Sequence, residues 1–159
     1  MATTPASVHK HPLHPILVAV PIGLWMFSLV CDLMFRVGRG EVVWHLMAWY
    51  TLVAGVIGAV VAAIPGLIDF FSIRDPRAGK VGMAHLVLNV ALVVLYSVNG
   101  WIRTILEPDA ILPVLLSVVG IAGLVVTGWL GGELVYIHKV GVAQGEPHPA
   151  ARRSGKRAA

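Results

Sequence analysis

Four apolar runs of membrane-crossing length constrain this chain more than any motif in it. They cover about residues 13–35, 44–68, 83–106 and 111–137. A helix needs ~20 mostly apolar residues to cross ~30 Å of hydrocarbon. Lipid offers nothing to backbone N–H and C=O groups, so each run must pair its own and be helical. The connections at 36–41, 72–80 and 107–109 are short, which makes successive helices antiparallel neighbours. The predicted fold is all-α: an integral-membrane, up-down four-helix bundle over 13–143. A flexible segment (1–12) precedes it and a disordered basic tail (144–159) follows. No internal repeat is read from the sequence.

Composition agrees. Hydrophobic residues make up 57% and charged residues 13%, against about a quarter charged in soluble domains. The first run is of spanning length and lacks a small-residue cleavage site, so it reads as a retained helix, not a signal peptide. Both termini and the middle loop share one side of the bundle, with Lys10, Arg74, Arg77, Lys80, Lys139, Arg152, Arg153, Lys156 and Arg157. The other side holds Arg36, Arg39 and Arg103. Nine against three of the 12 basic residues places both termini in the cytoplasm. The expected location is the inner (plasma) membrane, multi-pass. Topology accounts for the positive charge, so no nucleic-acid partner is expected; the basic tail suits anionic lipid. Cys31 is the single cysteine, which removes intrachain disulfides and all-cysteine metal sites.

Polar groups converge on the terminus-bearing end. His14, in His11-Pro12-Leu13-His14-Pro15, shares a helix face with Val18, Pro21, Trp25 and Asp32. Asp69 continues a stripe of small residues, Gly55, Gly58, Ala62 and Pro65, which lets a backbone or flat cofactor approach. His85 is followed on its face by Asn89, Leu92 and Tyr96; Thr127 and Gly131 precede His138. Glu133 lies deeper, five residues from His138, a spacing that places the two on different helical faces. Polar groups at this depth need partners inside the bundle.

Histidines on three helices with carboxylates are ligand types for zinc, iron or copper, giving His14, Asp69, His85, Glu133 and His138 as candidates. Two imidazoles can alternatively hold a haem b, the preferred pair being His85 and His138 with Gly131 and Gly132 beside the ring. A structural role is the competing reading: histidines as hydrogen-bonding helix ends, His-Pro as a stiff start to the first helix, Pro65-Gly66 as a helix end, and no cofactor. At the opposite end, Asp32 and His45 are expected to pair.

On the segments His11–Pro15, Pro65-Gly66-Leu67-Ile68-Asp69, His85 with Asn89, and Gly128-Trp129-Leu130-Gly131-Gly132-Glu133 through His138, the chain resembles the bacterial membrane family called domain of unknown function 2231. The resemblance implies a small four-helix membrane protein. Some such domains are joined to Rieske-type iron–sulfur domains, and they are broadly reminiscent of di-haem membrane cytochromes, which implies redox work. This chain has no Rieske motif, so an electron partner would be a separate protein.

The leading expectation is thus a redox-linked membrane protein binding haem b or a metal ion. A small transporter or proton pathway through Asp32, Asn89, Tyr96 and Glu133 is the alternative, and it would need oligomers. A non-catalytic membrane subunit is the third. Serine-elbow, phosphate-loop, zinc-protease and dinucleotide motifs are absent, so no enzymatic activity is assigned.

Overall fold

The computed structural model describes residues 5–9, 11–38 and 40–141. The tail expected at 144–159 lies outside these. A short antiparallel hairpin, β1 (Ser7–Val8) and β2 (His11–Pro12), leads into α1 (Leu13–Leu17) and α2 (Ala19–Val37). Then follow α3 (Val42–Phe70), α4 (Pro76–Ile102) and α5 (Leu112–Tyr136). Four spans of 25 to 30 residues result, α1 and α2 forming one of them.

Local chemistry explains the boundaries. Pro21 has no N–H to give Leu17, and the first span is interrupted at Val18, one turn earlier. Pro65 does not end α3, which continues to Phe70. The third span begins at Pro76, not near 83, because Asp75 caps it: its carboxylate accepts from the N–H groups of Arg77 and Ala78, both at 3.2 Å, and Pro76 occupies the first turn. Hydropathy hides this start behind Arg77 and Lys80. The span also ends earlier, at Ile102, with Arg103 as its C-cap. Residues 5–9, 11 and 12, expected to be flexible, form the β-hairpin. It is tied to α3 by the Ala6 N–H donating to Asp69 Oδ1 at 3.1 Å.

The bundle places its large aliphatic side chains outside. Ile57, Val87, Val119 and Val125 are exposed, while Ser28, Asn99, Ser117 and Cys31 are fully buried. Such a distribution suits hydrocarbon, where polar groups turn inward and small residues let helices close up. α2 packs chiefly on α3 and α4 on α5. At the centre Trp25 stacks on Tyr96, with Leu52 beside them.

Candidate functional site

His14 (α1) and His85 (α4) meet at the terminus-bearing end, ring centroids 6.2 Å apart and planes at 89°. Each is fixed in the same way. His14 Nδ1 lies 2.8 Å from the Ala62 carbonyl on α3, and His85 Nδ1 lies 3.0 Å from the Thr127 carbonyl on α5. A carbonyl oxygen only accepts, so Nδ1 carries the hydrogen in both rings. In the neutral imidazole, Nε2 is left with a free lone pair. Among the described residues no hydrogen bond uses either Nε2. Glycine seats both rings: a Cβ at Gly66 would come 2.7 Å from His14 Nδ1, and one at Gly131 3.2 Å from His85 Cε1.

The remaining candidates surround this pair unevenly. Asp69 is buried and holds the Ala6 N–H. Asn89 turns to its own helix, donating to the His85 carbonyl at 2.7 Å. His138 lies between two carboxylates, 3.7 Å from Asp75 and 3.8 Å from Glu133. His14, not His138, is therefore the imidazole beside His85. The five-residue spacing of Glu133 and His138 does not separate them, because α5 stops at Tyr136. His138 N–H then bonds back to the Glu133 carbonyl at 3.1 Å, ahead of Lys139 in a left-handed conformation. Gly132 is away from the imidazoles, in an outer groove with Trp129 and Tyr136. Among the described residues, no three His, Cys, Asp or Glu side chains gather closely enough to hold an ion together.

The far end departs from the expected Asp32–His45 pair. Arg103 grips both Asp32 carboxylate oxygens at 2.6 Å, and both side chains are buried. Its Nε also donates to Asn99 Oδ1, its Nη2 to Ser117 Oγ, and Asn99 donates to Ser117 Oγ. His45 lies against Phe35, lining a small cleft beside this network. Arg103, inside the apolar run 83–106, reads from the sequence only as one of three positive charges on this side; its position 18 residues after His85, five helical turns along the helix, is the available signal.

Four apolar spans, polar residues turned inward and aliphatic residues turned outward define a multi-pass four-helix membrane protein. The chain belongs to the family described as predicted membrane protein (DUF2231), whose model matches residues 10–144. No curated protein and no solved structure matches it.

Proposed function

We propose that this is a redox-linked membrane protein that holds a transition metal, as an ion or as the iron of a haem b, on the Nε2 atoms of His14 and His85. One observation carries the reading: two imidazoles from different helices, each fixed through Nδ1 by a backbone carbonyl and each with Nε2 uncommitted. Metal-binding histidines are typically held this way, the second nitrogen setting tautomer and ring orientation. The two rings are near neighbours, with centroids 6.2 Å apart. With only two protein nitrogens on offer, a haem iron or a low-coordinate copper suits better than four-coordinate zinc. Iron or copper there would supply one-electron exchange. Asp69 holds the N-terminal hairpin over this end, and the Glu133–His138–Asp75 group links the end of α5 to the start of α4. The excess of basic residues supports a cytoplasmic position for this end, within reach of a separate soluble redox protein.

The test is an absorption spectrum of detergent-purified protein, oxidised and dithionite-reduced, with elemental analysis of the same sample. A Soret band that sharpens on reduction, or stoichiometric copper or iron without colour, is expected in the wild type and lost in His14→Ala and His85→Ala. Protein produced with haem and metals available that carries neither refutes the proposal.

A proton route is the second reading, favoured by the polar chain Asp32–Arg103–Ser117 reaching the carbonyl to which Tyr96 donates. The Trp25–Tyr96 stack lies between this chain and the histidines, so conduction would require the rings to part. Proton flux into proteoliposomes is its measurement.

A further inference from the structure

Contacts along the bundle centre recur at matched levels. His14 meets His85, Trp25 meets Tyr96, and Asp32 meets Arg103. In all three pairs the second residue lies 71 positions after the first. These contacts require the first span and α4 to run parallel, in register.

The helices behind them repeat as well, with a step of 65. His14 bonds to the Ala62 carbonyl and His85 to that of Thr127. Trp25 Nε1–H donates to the Leu52 carbonyl and the Tyr96 hydroxyl to that of Ser117. Ser28 donates to the Ala48 carbonyl and Asn99 to that of Pro113. Glycines follow the same rule: Gly66 and Gly131 seat the imidazoles, Gly58 and Gly123 face Pro21 and Leu92, and Gly55 and Gly120 seat Trp25 and Tyr96. The difference between the two steps falls between Asp32 and Ala48, where the end of α2 and the start of α3, which carries His45, both extend beyond the matching points in α4 and α5.

A residue touching its own counterpart is the signature of a twofold interface. We infer that the bundle is two copies of one helix-hairpin unit, residues 13–70 and 76–136, related by a pseudo-twofold axis parallel to the helices, with His14 and His85 as equivalent halves of one site on that axis. The ligand is then a metal centre that takes one imidazole from each of two sides. This last statement rests on the function proposed above; the duplication does not. Asp32 and Arg103 give the units their identity. Two identical units would set like charges against each other across the axis, whereas the unlike pair favours the mixed assembly.

Exchanging residues across the axis tests the inference in the full chain. The variants are Asp32→Arg with Arg103→Asp, Trp25→Tyr with Tyr96→Trp, and the four singles, with Tm read in detergent. Every single is expected to lower Tm, the two charge variants by more than about 10 °C, and each exchange to restore it to within about 5 °C of wild type. Exchanges that melt no higher than the worse of their singles overturn the duplication. His14→Ala and His85→Ala should reduce metal or haem content by factors agreeing within about twofold; a tenfold disparity overturns the equivalence of the halves. Restored Tm in a protein that binds neither metal nor haem keeps the duplication and sinks the functional reading alone.

Discussion

The rings of Trp25 and Tyr96 stack with centroids 4.0 Å apart and planes within 9°, and each ring rests on a glycine of the adjacent helix. A Cβ at Gly55 would overlap the Trp25 indole, and one at Gly120 would come 2.5 Å from Tyr96 Cζ. The stack, with Leu52, is the apolar centre of the bundle. Gly55→Ala and Gly120→Ala are each expected to cost about 1–3 kcal/mol, the usual penalty for overpacking a close-packed core. Gly128→Ala, where nothing lies within 4 Å of the added methyl, should be neutral or stabilising by up to about 1 kcal/mol. Melting of the three variants in detergent reads the contrast.

The Asp32–Arg103 pair should behave as a buried one. Arg103→Ala leaves a carboxylate without its countercharge and is expected to cost about 3–5 kcal/mol. Asp32→Leu with Arg103→Met removes both charges and should recover most of that loss, since well-packed apolar replacements of buried ion pairs are often neutral. Equilibrium denaturation of wild type, single and double variants checks both statements.

The imidazole seats predict a graded effect on ligand binding. Alanine at Gly66 must displace the His14 ring and break its bond to Ala62, whereas alanine at Gly131 asks only a few tenths of an ångström of His85. Loss of such an orienting contact typically costs 10–100-fold in metal affinity. Gly66→Ala is expected to fall in that range and Gly131→Ala below it, by metal titration or haem content.

Acid should loosen the start of α4. The Arg77 and Ala78 N–H groups hold the Asp75 carboxyl below its ordinary value of 3.8, with a smaller pull from nearby His138. Since the folded-state value is the lower one, this stabilisation is full above about pH 4 and is lost as pH falls through the depressed value. Asp75→Asn should therefore lower Tm at pH 7 and flatten its decline below pH 4. Melting curves from pH 3 to 7 test this.

Asp32, His138 and Pro76 show where the sequence misleads. A carboxylate in a span needs a partner, and from the sequence His45 is the group that approaches Asp32 at the same end of the bundle. The actual partner, Arg103, lies inside the apolar run 83–106, on another helix and 71 positions further along the chain, where the pattern of a single segment does not reveal the pairing. The Asp75-Pro76 start carries a plain capping signal that the charges after it obscured. The separation of His138 from Glu133 assumed an unbroken helix, and the chain unwinds after Tyr136.

The duplication was illegible for another reason. Among the paired positions only histidine faces histidine and glycine matches glycine; Trp25 against Tyr96 and Asp32 against Arg103 share geometry, not identity. What repeats is a pattern of backbone acceptors and ring seats, which becomes visible once the helices are side by side.

By itself, the sequence determined four helical spans, their alternating directions and the gathering of histidines at one end. Each follows from the length and polarity of single segments, because a helix in lipid satisfies its backbone alone. Tertiary structure decided which imidazoles meet, which charge neutralises Asp32, and that the two hairpins mirror each other about an axis. Those outcomes depend on how each helix is rotated and raised against its neighbours. Close packing of glycine against ring sets that arrangement, and hydropathy is blind to it.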